Sequence, residues 1–144
     1  MTDPKELYQA LLVEHGNHPR REGPLEGATH QARQTNPLCG DRVILRLLVA
    51  DGVVRTLRFE VRGCLISKAS ASLMGEVVEG KRVSEARELA TTLEALARAE
   101  TPPTDGGLLE PLRSVREFPA RLACVELPWK ALVSALDGSP PVPR

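Results

Sequence analysis

The residues in this sequence whose type and placement suit chemistry are three cysteines, Cys39, Cys64 and Cys124. An odd count cannot be paired off within one chain. At 15.7 kDa with 42% hydrophobic residues, the chain has enough apolar material to fold without disulfides, so the thiols are expected to stay reduced for metal or reaction. No Cys-x-x-Cys occurs, which removes zinc ribbons and thioredoxin-type motifs. Cys39-Gly40-Asp41 narrows the choice, because Gly40 lets the backbone bend until a thiolate and a carboxylate face one point. Three thiolates with Asp41 as fourth ligand suit tetrahedral zinc, and the single hard oxygen makes such a site easier to open than four sulfurs would. Two plainer readings stand beside this one: three buried thiols acting as small hydrophobes, and Asp41 as an ordinary turn aspartate.

Nucleophilic cysteine catalysis needs a base nearby. His15, His18 and His30 all precede Cys39 and read as solvated helix-end or loop residues, so a Cys-His hydrolase has no local signature.

The elements that must carry the cysteines follow from periodicity. Asp3-Pro4-Lys5-Glu6 opens a helix with Leu7, Tyr8, Leu11 and Leu12 on one stripe, ending by Gly16. A short polar strand is expected over 28–34. Val43, Leu45, Leu47 and Val49 alternate with outward residues, and so do Leu57, Phe59 and Val61, with Asp51-Gly52 between them as a hairpin turn. From Leu65 the period becomes helical through Ile66, Ala69, Leu73, Met74, Val77 and Val78, until Gly80. Ser84 is expected to cap a further helix striped by Ala86, Leu89, Ala90, Leu93, Leu96 and Ala97, ended by the Pro- and Gly-rich loop 101–107.

After an apolar piece over 108–112, Pro119 opens a helical turn through Cys124, and Pro128 opens a final helix with Trp129, Leu132, Val133 and Leu136 inward. The predicted fold class is α+β: a small three-stranded antiparallel sheet with helices packed on one face. It forms a single domain over 1–137 with a flexible tail at 138–144. Each cysteine falls at a junction in this scheme, Cys39 before the hairpin, Cys64 between strand and helix, and Cys124 between two proline-started helical pieces. Cys64 would gain from the helix dipole there.

Several function classes drop out. The 19 basic and 19 acidic residues balance, and only four aromatics occur, so neither a basic field nor a stacking set for nucleic acid is present. The longest apolar run is four residues, far below the roughly 18 of a membrane span, and the N-terminus lacks a signal peptide's apolar stretch. The expectation is a soluble, cytoplasmic protein without nucleic-acid or membrane partners.

Three ordered motifs carry a resemblance. Asn36-Pro37-Leu38-Cys39-Gly40-Asp41, then 63–74 beginning Gly63-Cys64-Leu65-Ile66-Ser67, then Phe118-Pro119-Ala120-Arg121-Leu122-Ala123-Cys124 with Trp129-Lys130-Ala131-Leu132, resemble the NifU/IscU family of iron–sulfur cluster assembly scaffolds. The likeness runs from Leu7 to Leu136. It is closest to the SufU branch, since Ala123 stands where the IscU branch carries a histidine, and 59 residues separate Cys64 from Cys124, longer than IscU proteins have. His18 departs from the asparagine usual before Pro19-Arg20, and Ala123 from the lysine of some SufU members.

The resemblance implies one zinc per chain at Cys39, Asp41, Cys64 and Cys124. It also implies a sulfurtransferase role, taking persulfide sulfur from a SufS-type cysteine desulfurase and passing it to the SufB-containing assembly complex. Resemblance to the wider family implies a scaffold that builds a [2Fe–2S] cluster on the same ligands and transfers it to apo-proteins. Cys39, beside flexible Gly40, is the expected persulfide acceptor, and Arg121, a turn before Cys124, either offsets the surplus negative charge of the site or is a solvated surface arginine.

Overall fold

The computed structural model describes residues 4–36, 40–97 and 119–137, with side chains at 9–36, 40–95 and 122–137. The expected pieces at 101–107 and 108–112 and the tail at 138–144 lie outside them. Element order is α1 (Pro4–Asn17), β1 (His30–Asn36), β2 (Asp41–Ala50), β3 (Val53–Arg62), α2 (Leu65–Val78), α3 (Val83–Ala97) and α4 (Pro119–Leu136). The strands form one antiparallel sheet in the order β1-β2-β3. The α+β expectation holds.

The β2–β3 connection resolves a conflict within the sequence. Asp51 and Gly52 both take positive φ, 54° and 72°, the two-residue turn whose twist matches a hairpin. That turn pairs Ala50 with Val53, a register that would set Val43 against outward Glu60. Burial of Val43, Leu45 and Leu47 with Phe59, Leu57 and Val61 needs a shift of one. A bulge supplies it: Val49 pairs with Val54 but Leu48 with Thr56, leaving Arg55 as the extra residue.

The sheet's inner face packs on the helices through Val43, Leu45, Leu47, Leu57 and Phe59, all fully buried. α2 runs through the middle of the helical layer, and its buried set is wider than one stripe: Ser67, Ala69, Ser70, Ala71, Ser72, Leu73, Met74, Gly75 and Val78. Ile66 and Val77, expected inward, are only half-buried. Small side chains bring the neighbouring helices close, and the hydroxyls of Ser70 and Ser72 find partners on or just beyond those helices. Ser70 Oγ donates to the Val125 carbonyl of α4 at 2.6 Å and accepts from Trp129 Nε1 at 3.1 Å. Ser72 Oγ meets His15 Nδ1 of α1 at 2.7 Å and accepts from the Arg20 N–H at 2.9 Å.

Several details differ from expectation. β1 begins at His30, two residues later, because Thr29 is taken up in caps: its N–H donates to the Leu47 carbonyl and its hydroxyl accepts from Val49 N. α3 begins at Val83, so Ser84 lies inside its first turn, and Glu85 reaches back to the Arg82 N–H at 3.1 Å. The two proline-started pieces after 118 are one helix, α4, with Pro128 inside it. Pro128 withholds the N–H that would bond the Cys124 carbonyl. Ser70, bonded to the next carbonyl and to Trp129, braces the helix at that gap. Val133, expected inward, is exposed, while Trp129, Leu132 and Leu136 are buried.

The loop after α1 is tied to the end of α2 by charge and to the β3 edge by backbone hydrogen bonds. Arg21 pairs with Glu76 at 2.8 Å and Glu79 at 3.2 Å, and Phe59 N donates to the Arg21 carbonyl. Burial alone would raise the Glu79 carboxyl, but the Leu57 N–H, Arg21 and Arg58 together hold it below the usual range.

Candidate metal centre

Asp41 is the first residue of β2, on the inner face, and is buried at 4% exposure. The bulge at Arg55 sets Arg62 opposite Arg42, so the next residue, Gly63, falls opposite Asp41. A Cβ at Gly63 would stand 2.5 Å from Asp41 Cγ, so the carboxylate occupies the space that any other side chain at 63 would need. Gly40 has φ of 75°, a left-handed conformation that favours glycine, and its N–H donates to the Asn36 carbonyl at 2.8 Å. This is the backbone bend expected just before Asp41.

Cys64 is the N-cap of α2, with extended backbone at φ −77° and ψ 168°, and it makes no side-chain cap bond. Its thiol therefore lies at the positive end of the helix dipole. One turn on, buried Ser67 links the two groups: its hydroxyl donates to Asp41 Oδ2 at 2.5 Å, and its oxygen stands 3.6 Å from Cys64 Sγ. The Cys64 N–H also addresses Asp41 Oδ2, at 3.5 Å. The carboxylate plane is thus set by α2, not by β2 alone.

Cys124 lies inside α4 and not at a junction, a correction that follows from the continuity of that helix through Pro128. It is buried at 1% exposure and still reaches the site, because α4 packs across β1, β2 and α2. One ligand atom each from Asp41, Cys64 and Cys124 lies within 4.8 Å of the others. Ligand sulfurs on a tetrahedral zinc stand about 3.8 Å apart, so small rotamer changes would close this set around one ion. The donors, two thiols and a buried carboxylate, suit zinc or iron.

Cys39 and the side chain of Arg121 lie outside the described residues. The three histidines do not join the group: His15 bonds Ser72, Thr29 bonds His30, and His18 lies at the α1 end. Burial, then the charge of Arg20, pushes the His15 imidazole below its ordinary value and favours its neutral form. Sequence reasoning passed over Ser67 and Gly63 as site residues. The available signals were a glycine directly before a candidate ligand and a hydroxyl three residues beyond the N-cap.

An antiparallel sheet backed by helices, with a carboxylate and two thiols converging from a strand start, a helix N-cap and a helix interior, defines an α+β protein with a site that could hold a metal ion. Residues 7–111 match the family described as the NifU-like N terminal domain. The chain is 38% identical over 135 residues to the iron–sulfur cluster assembly scaffold protein IscU of Thermotoga maritima, covering 92% of this chain and 94% of that one. It is 34% identical over 128 residues to the zinc-dependent sulfurtransferase SufU of Bacillus subtilis, covering 88% and 86%. Among solved structures, a candidate SUF-system iron–sulfur cluster assembly scaffold from Fervidobacterium islandicum superposes with a TM-score of 0.81. That pair is 30% identical over 93% of this chain and 99% of that one. The chain belongs to the NifU/IscU/SufU family of iron–sulfur cluster assembly scaffolds.

Proposed function

We propose that this chain is a zinc-dependent sulfur acceptor in iron–sulfur cluster assembly. The observation that carries the reading is the convergence of Asp41, Cys64 and Cys124 at one end of the sheet. Cys39, two positions before Asp41, completes the ligand set, and Arg121 offsets its negative charge. Zinc bound there would keep the thiols deprotonated while engaging the lone pairs they need for attack. The relative named as a zinc-dependent sulfurtransferase supports this over a purely structural metal.

In the transfer step, the Cys39 thiolate attacks the terminal sulfur of a persulfide on a SufS-type cysteine desulfurase. A new S–S bond forms as the old one breaks, the desulfurase cysteine leaves as thiolate, and Cys39 becomes the persulfide. The exchange is redox-neutral. Sulfur then passes to a SufB-containing assembly complex. Cys39 suits this role because Gly40 gives it a hinge, whereas Cys64 is fixed at a helix cap and Cys124 within a helix. Ala123 offers no donor beside Cys124, so the group that replaces Cys39 in the ligand set comes from the partner.

The second reading is a scaffold on which a [2Fe–2S] cluster is built as cargo, favoured by the 38% identity to an IscU. Metal analysis of freshly purified protein, with desulfurase turnover measured in its presence and absence, separates the two. Zinc with faster turnover is expected; iron with acid-labile sulfide and no stimulation would overturn the sulfur-acceptor reading.

A further inference from the structure

The sheet's outer face carries an arrangement that the metal centre does not use. Arg42 lies directly opposite Arg62, and Arg46 directly opposite Arg58, on adjacent antiparallel strands. Like charges facing each other across a strand pair are destabilising. The second pair is answered: Arg46 Nη1 lies 2.6 Å from Glu60 and Arg58 Nη1 3.2 Å from Glu79. Among the described residues, no carboxylate lies within ion-pair distance of Arg42, of Arg62, or of Arg33 on β1 beside them. The chain's net charge is zero, so these arginines are a local surplus on a balanced molecule.

Their place gives the surplus meaning. Arg42 follows Asp41 and Arg62 precedes Gly63-Cys64, so the unanswered pair sits at the sheet end that holds the metal centre, on the opposite face. Half-buried Ile44, paired with Arg33, adds an apolar step beside it. We infer that Arg33, Arg42 and Arg62 form a docking surface for a carboxylate-bearing segment of the desulfurase that charges the site. Guanidinium forks match carboxylates in bidentate geometry, and a segment held there lies at the rim that a partner must cross to reach the thiols. Nucleic acid fits less well. Glu60 stands within the face, and the described aromatics Phe59 and Trp129 are buried, so neither can stack on a base. The inference rests on the reading that a second protein reaches this site.

The test is a titration of the zinc-loaded full chain with hexaglutamate and, separately, with a thymidine oligonucleotide, read at the arginine side-chain Nε–Hε signals by NMR. Saturable shifts confined to Arg33, Arg42 and Arg62 with hexaglutamate are expected, weakened by salt. The double variant R42Q/R62Q should bind hexaglutamate about tenfold less tightly, with unchanged zinc content and a melting temperature equal to or above wild type, since the repulsion is gone. Tighter binding of the oligonucleotide, shifts spread over all arginines, or undiminished binding by R42Q/R62Q would overturn the assignment. Desulfurase stimulation measured in parallel keeps the two readings apart. Wild-type protein that binds hexaglutamate at these arginines but is never charged with sulfur sinks the sulfur-acceptor reading alone. Full stimulation by R42Q/R62Q sinks the docking surface alone.

Discussion

The Asp41 carboxylate and Gly63 share one volume: a Cβ on Gly63 would lie 2.5 Å from Asp41 Cγ, and 2.7 and 2.8 Å from its two oxygens. Neither partner can move easily, since Asp41 is bonded to Ser67 and Gly63 is fixed between β3 and the α2 cap. Gly63→Ala should therefore displace the carboxylate, costing roughly 1–3 kcal/mol by overpacking and weakening metal binding together. Denaturant unfolding and zinc competition on the same sample check both; a variant unchanged in zinc affinity would show that Asp41 is not a ligand.

Ser67→Ala removes the hydroxyl that orients Asp41 and leaves a buried oxygen without that donor. The apo-protein should lose about 1–3 kcal/mol of stability, and zinc affinity should fall about 10- to 100-fold, as when other outer partners of metal ligands are removed. Asp41→Ala should weaken binding further without abolishing it, because the thiolates remain. The order wild type, Ser67→Ala, Asp41→Ala in a chelator competition is the readout.

Zinc removal should lower the melting temperature. The ligands come from separate elements that only the folded chain unites, so the metal binds the native state in preference to the unfolded one. At about 100 times its dissociation constant, free zinc contributes about 2.7 kcal/mol, which for a chain of this size is a shift on the order of 10 °C. Equal melting of apo and loaded protein would remove the proposed site.

His15 gives the fold a pH dependence of definite sign. Its folded-state value lies below the ordinary value near 6.5, so between the two the unfolded chain binds more protons than the folded one. Its contribution is complete above about pH 6.5 and is lost as pH falls through the folded value. Urea unfolding at a series of pH values should show wild type losing stability on acidification where His15→Gln does not; parallel curves would show that folding does not lower the His15 value.

Much of this was legible in the sequence. The strand alternation, the Asp51-Gly52 turn and the change of period at Leu65 give the sheet, its inner face and the strand-to-helix handover at Cys64. The continuity of α4 was not legible, because Pro128 reads as a helix start, whereas in the fold Ser70 bonds Val125 and Trp129 on either side of it within a buried helix. That error misplaced Cys124 at a junction. The partnership of Asp41 with Gly63 depends on a one-residue bulge at Arg55, which reconciles turn and alternation but is written in neither. Ser67 was hidden because a serine near a helix start reads as a cap, while here Cys64 caps and Ser67 serves the carboxylate across the junction.

The central claim is that this chain accepts sulfur on Cys39 while zinc is bound. The most direct measurement is peptide mass spectrometry of the zinc-loaded protein after incubation with a SufS-type desulfurase and cysteine, with thiols and persulfides trapped by alkylation. One additional sulfur on the peptide containing Cys39 is expected, together with loss of desulfurase stimulation in a folded Cys39→Ser variant. Sulfur found mainly on Cys64 or Cys124, or no sulfur on any of the three, would contradict the account.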